Sequence, residues 1–178
     1  VRTYYQAPIP PLHILDGASF GTFTTLQSIS TAPGIILPAN ILETGSEIRL
    51  EVDGEYSTTG TPTLAFGFFY GTVATITLAV GTGIATGSAA ASFPWHAEWV
   101  GRVRSVGATG SIQGAGWWAL GTSLTTFSAA QAMPVTLALR TVTINTTAAS
   151  EVGVCATFGT SSASNTVKVN RFSCTLIS

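Results

Sequence analysis

The sequence is poor in charge, in cysteine, in histidine and in uninterrupted apolar runs, and each shortage removes a class of function. Lys and Arg number seven and Asp and Glu eight, 8% of 178 residues, where an average soluble domain carries roughly 25%. A net charge of −1 with a single lysine, Lys168, leaves no electrostatic footprint for nucleic acid. Residues 56–97 and 105–139 hold no charge at all. Neither reads as a membrane span, because Thr72, Thr75, Gly81, Gly83 and Gly87 break the first into turn and strand chemistry. No nucleic acid and no membrane are therefore expected as partners. The N-terminus, VRTYYQ, has no apolar run and no small-residue cleavage site, so the chain reads as soluble and without a leader. Two cysteines, Cys155 and Cys174, are too few for a disulfide framework. Free, buried thiols are the expected state, with a bridge as the alternative.

What fills the gap is Thr, Ser and Gly, together with a hydrophobic fraction of 46% that excludes a disordered chain. Alternation of period two recurs along the sequence, the mark of half-buried strands. In residues 47–56 the odd positions are Glu47, Arg49, Glu51, Asp53 and Glu55, and the even ones include Ile48, Leu50, Val52 and Tyr56. Residues 95–104 place Trp95, Ala97, Trp99, Gly101 and Val103 on one face and His96, Glu98, Arg102 and Arg104 on the other. Further strands are predicted at 64–70, 73–80, 111–120, 135–143, 152–158 and 166–176. Phase slips near Ser105-Val106 and Asn170-Arg171 predict bulges or strand ends. About eight strands with Gly/Thr/Ser/Pro turns and no helical period indicate an all-β protein: an antiparallel, jelly-roll-like sandwich over residues 12–178. Residues 1–11 hold three prolines and read as an extended N-terminal arm.

The motifs that could carry catalysis fail on context. Gly17-Ala18-Ser19-Phe20-Gly21 matches G-x-S-x-G, but that turn works between a strand and a helix, and a Thr-rich, strand-like segment follows here. His96-Ala97-Glu98 lacks the P-C-x-x-C partner of the zinc deaminases and reads as a hydrogen-bonded surface pair. Glu47, Glu51 and Glu55 alternate with Arg49 on a strand without an aromatic platform, which describes a solvated face rather than a glycosidase pair. Residues 81–87 are not G-x-G-x-x-G, and no βαβ unit surrounds them. No catalytic residue, metal site or cofactor is expected, and the protein reads as a non-enzyme.

The aromatic residues point elsewhere. Trp117 and Trp118 are adjacent on a predicted strand and so face opposite ways. Tyr4 and Tyr5 sit with Pro8 and Pro10 on the arm, with nothing local to pack on. Aromatics with few charges around them are what interfaces favour. Trp117 and Trp118 are thus candidate interface residues, and Tyr4, Tyr5, Pro8 and Pro10 candidate docking residues.

A set of turn motifs carries a resemblance. Leu37-Pro38-Ala39-Asn40, residues 48–64 (IRLEVDGEYSTTGTPTL), Pro94–Trp99, Val106–Ser111, Gly121-Thr122-Ser123 and Ser162–Thr166 together resemble small β-rich virion proteins of tailed bacteriophages. The likeness spans roughly residues 35–178 and leaves out the arm. It implies a virion component of the head-decoration or minor-tail type, with no catalytic residue to carry over. The function it implies is a capsid decoration (cement) protein on the outer surface of the head shell, assembled in the host cytoplasm. Its implied partners are other copies of itself, as a trimer, and the major capsid protein. The alternative is a tail-associated receptor- or carbohydrate-binding module, with aromatic stacking at Trp117 or Trp118 near Glu98 and Arg102.

Overall fold

A computed structural model describes residues 12–15, 17–30, 34–73 and 77–177, with side chains from residue 17 onward. Among these residues there are fourteen strands and one short turn of 3-10 helix. The first four strands are short: β1 (Leu12–Leu15), β2 (Ser19–Gly21), β3 (Gln27–Ser28) and β4 (Ile35–Leu37). Two long ones follow, β5 (Glu47–Ser57) and β6 (Thr63–Tyr70), then β7 (Thr77–Val80) and β8 (Ile84–Ala85). Three more long strands are β9 (Phe93–Ser105), β10 (Gly110–Leu120) and the last strand, β14 (Thr166–Ile177). Between them lie β11 (Gln131–Met133), β12 (Thr141–Ile144) and β13 (Ser150–Phe158).

Every pairing is antiparallel. The large sheet runs β1-β14-β5-β9-β10-β11, with β2 also on β14 and β12 also on β10. The small sheet runs β3-β13-β6-β7, with β4 on β13 and β8 on β6. Where two short strands share one partner they occupy one position. The chain then fills eight positions: β1/β2, β3/β4, β5, β6, β7/β8, β9, β13 and β14. The large sheet carries the first, eighth, third and sixth, and the small sheet the second, seventh, fourth and fifth. This alternation is the double Greek key of a jelly roll, the architecture the sequence pattern predicts. Strands β10–β12 are an insertion between the sixth and seventh positions that extends the large sheet beyond the roll.

Alternation explains which residues meet between the sheets. Ile48, Leu50, Val52 and Tyr56 of β5 and Trp95, Ala97, Trp99 and Val103 of β9 are buried. Across the gap, Phe66 of β6 stacks on Trp95 at 3.8 Å between ring centroids and meets Trp118 of β10 edge-on at 5.4 Å. One aromatic cluster thus ties the small sheet to both β9 and β10, a contact type worth about 0.5–1.5 kcal/mol beyond area burial. Trp99 lies over two glycines of its own sheet. A Cβ on Gly101 would stand 2.0 Å from the Trp99 ring, and one on Gly114 2.2 Å from it. Those positions must stay glycine for the indole to lie flat.

Tyr56 anchors loops to this core: its hydroxyl donates to the Gly121 carbonyl at 2.5 Å and accepts the Gly87 N–H at 2.9 Å. Cys155 and Cys174 are free and buried, as their composition context predicts, and burial pushes each thiol up to about 12.

The slip at Asn170 is a bulge, since the β14–β5 register skips from Val169 to Arg171. The slip near Ser105 is also real, because Ser111 pairs Ser105 while Ile112 pairs Val103. The strand expected over 135–143 is corrected. Only Thr141–Ile144 is strand, and Leu137–Arg140 is the 3-10 turn. Val135, Leu137 and Leu139 do alternate, but all three are exposed, so their spacing reports no core face. Pro134 supplies no N–H for a ladder, and Leu-Ala-Leu-Arg favours helical geometry over extension. Among the described residues no helix is long and apolar enough to cross a membrane.

Candidate functional site

The outer face of the large sheet collects most of the molecule's polar chemistry. Odd residues of β5, even residues of β9 and odd residues of β10 all point away from the core. Register then decides which of them meet. Asp53 stands opposite His96 on one side and Arg171 on the other; Glu51 stands opposite Glu98 and Ser173; Glu98 stands opposite Trp117. Four strands therefore bring Arg171, Asp53, Glu51, His96, Glu98 and Trp117 into one patch.

The side chains form a linked set. Arg171 donates from Nε to Asp53 Oδ1 at 2.7 Å and from Nη2 to Glu51 Oε1. Hydrogen bonds donated to Asp53 first, and then to Glu51, hold the guanidinium above its ordinary pKa. His96 Nε2 lies 3.1 Å from Glu98 Oε1, the surface pair expected from the sequence. Trp117 donates its indole N–H to Glu98 Oε2 at 3.1 Å, and its ring lies 5.1 Å from the imidazole. A hollow of about 330 Å³ opens beside this group, lined by His96, Trp117, Ala119, Phe127, Ser128 and Ala130. Its walls come from β9, β10 and the loop after β10, which is closed by the Gly121–Phe127 bridge.

A second, wholly different surface lies on the insertion. Beyond Trp117, five of the nine large exposed hydrophobics among the described residues fall between 124 and 139: Leu124, Phe127, Val135, Leu137 and Leu139. Leu124 is 70% exposed, Leu137 74% and Leu139 56%, and no charged residue interrupts this stretch. Between Leu139, Pro134 and Val142 and the edge strand β7 runs a groove of about 450 Å³.

Set against the sequence, the sites divide. Trp117 is on the outer face and partly exposed. Trp118 is corrected: it is fully buried against Phe66 and touches no outer surface. Arg102 stands opposite Glu47 and Gln113, two outward positions beyond Glu98, so the cation at the cluster is Arg171 instead. Tyr4, Tyr5, Pro8 and Pro10 lie outside the described residues. Ser19 sits on β2, an edge strand paired to β14, with no helix following it. Along the sequence β5 has no aromatic platform beside it; Trp117 stands two strands away, and only cross-strand register reveals it.

No protein-family model matches this chain, and neither a curated protein nor a solved structure does. What fold and surfaces define is therefore a class: an all-β jelly roll with an apolar insertion on one edge, whose one charged side chain is Arg140, and a polar, aromatic-bordered sheet face.

Proposed function

We propose that this protein is a non-enzymatic structural subunit of a bacteriophage virion, a capsid decoration protein bound as a homo-oligomer to the outer surface of the head shell. The observation that carries the reading is the insertion. Jelly-roll positions are complete without β10–β12, yet the added segment bears the exposed Leu124, Phe127, Val135, Leu137 and Leu139 in an uncharged stretch. Monomers rarely leave such apolar area to water, whereas protein interfaces use it. Apart from Arg140 the insertion carries no charge, which limits the desolvation of ions when copies pack closely. Closed symmetry satisfies every copy alike, and a trimer is the expected form. Residues 1–11 would supply the arm that reaches the major capsid protein.

The test is structural and biochemical together. Density for the chain on intact particles should lie on the head at high copy number. Leu137→Asp with Leu139→Asp should turn the oligomer into monomer in light scattering while the folded circular dichroism spectrum persists. Deleting residues 1–11 should remove the protein from heads. A monomeric wild type at micromolar concentration, or full head occupancy without the arm, overturns the corresponding part.

The second reading, a tail-associated receptor- or carbohydrate-binding module, is favoured by one feature. The hollow beside Trp117 combines aromatic faces with the nearby Glu98 carboxylate, a pairing suited to a sugar ring. A handful of copies per particle and glycan binding lost in Trp117→Ala would replace the first reading with this one.

A further inference from the structure

We propose that Glu51, His96 and Glu98 form a binding site for a divalent transition-metal ion of the zinc type on the outer face of the large sheet. The inference stands apart from the virion reading. One donor atom from each of the three residues lies within 4.8 Å of the others. The backbone sets this convergence: Glu51 is the direct cross-strand partner of Glu98, and His96 lies two residues from Glu98 on the same face. Zinc–ligand lengths of about 2.0–2.2 Å place tetrahedral donors roughly 3.4 Å apart, so rotation of half-exposed side chains closes the shell.

Donor chemistry selects the ion. One imidazole nitrogen with two carboxylate oxygens suits zinc, cobalt or nickel. Calcium and magnesium favour oxygen shells, and copper(I) favours sulfur. Local charge points the same way. Glu51, Asp53 and Glu98 are three carboxylates on neighbouring positions, and among the described residues Arg171, bound to the first two, is the guanidinium paired with them. Three negative charges against one positive leave an excess of two, which a divalent ion cancels. Glu51 and Glu98 directly opposite each other are otherwise an unfavourable like-charge pair.

Outer contacts already orient both carboxylates. Arg171 holds Glu51 by Oε1, and the Trp117 N–H holds Glu98 by Oε2. Each carboxylate keeps its second oxygen for the ion, the arrangement by which neighbouring donors tune metal sites. The ion would take the place of the hydrogen bond between His96 Nε2 and Glu98 Oε1. Three protein ligands leave at least one position open, and one of them, His96, borders the hollow.

The experiment is isothermal titration of untagged, chelator-treated full-length protein with zinc chloride, with calcium and magnesium chlorides as comparisons. Tryptophan fluorescence gives a second readout, since the Trp117 N–H contacts a ligand; the same titration of Trp117→Phe separates its signal from those of Trp95, Trp99 and Trp118. The expected result is one zinc per chain, weakened roughly tenfold or more in Glu51→Gln and in His96→Ala and unchanged in Glu55→Gln. Each variant should retain the wild-type spectrum and melt within a few degrees of it; Glu98→Gln replaces any that does not. No saturable binding up to millimolar zinc overturns the proposal. So does binding that survives loss of Glu51 and His96, or equal affinity for calcium.

Discussion

Trp117 and Trp118 are consecutive residues with opposite surroundings, and the contrast separates what holds this fold from what it offers to partners. Trp118 is wholly buried, edge-on to Phe66, and its indole N–H has no partner among the described residues. Trp117 is 38% exposed, yet its N–H is bonded to Glu98. The buried ring thus has the unmet polar atom and the exposed one the satisfied atom. Magnitudes explain why this is tolerated. Removing about 200 Å² of indole from water is worth roughly 5 kcal/mol, while an unmet N–H costs about 1–3 kcal/mol. Apolar packing decides the inner face, and specific hydrogen bonds organise the outer one.

The contrast can be broken most directly at position 118. Trp118→Ala should cost about 3–5 kcal/mol in urea unfolding, because it empties the space between β10 and Phe66 of β6. Trp118→Phe sharpens the point: it removes the unmet N–H and keeps a ring, so its loss should stay below about 2 kcal/mol. Next in size is Gly114→Ala, whose added methyl would stand 2.2 Å from the Trp99 ring and 2.6 Å from the Val100 carbonyl. A loss of about 1–3 kcal/mol is expected from that overpacking.

Alkaline pH probes the buried side without mutation. Burial raises the Cys155 and Cys174 thiols from 9.0 to about 12, and raises Tyr56 and Tyr70 from 10.0. The native state then binds more protons than the unfolded chain, so this stability is complete below about pH 9 and is lost as pH climbs toward 12. Urea midpoints that fall steadily above pH 9 would agree; flat midpoints would not. The smallest effect belongs to Trp117→Ala, about 1 kcal/mol or less, since it removes one half-exposed hydrogen bond.

The same distinction accounts for what the sequence could reveal. Period-two alternation marks β5 and β9 because each has one wet and one dry face, and the break at Asn170 is visible because a bulge shifts that phase. Strand β6 is buried from Leu64 to Tyr70, so its run of apolar residues marks a strand without saying which way each points. The insertion misled because Val135, Leu137 and Leu139 imitate a core face while lying in water. Adjacent tryptophans must diverge, but which one turns inward depends on Trp118 pairing Ala97 and Trp117 pairing Glu98. That register comes from the hairpin as a whole. The Glu51–His96–Glu98 cluster is hidden for the same reason, since its first member belongs to another strand.

Strand order carries a consequence for how the protein is made. β5 lies between β9 and β14, so one of its hydrogen-bonding edges stays open until the last strand has been synthesised. β1 waits for the same partner. Such distant pairings place folding in the slow range for small domains, about milliseconds to seconds, with an unpaired edge exposed meanwhile. β5 is also the strand lined by Glu47, Arg49, Glu51, Asp53 and Glu55. During that wait these side chains act as gatekeepers, keeping an open edge from pairing with a neighbouring nascent chain. A protein with so few charges has placed a third of them on the strand whose partner arrives last.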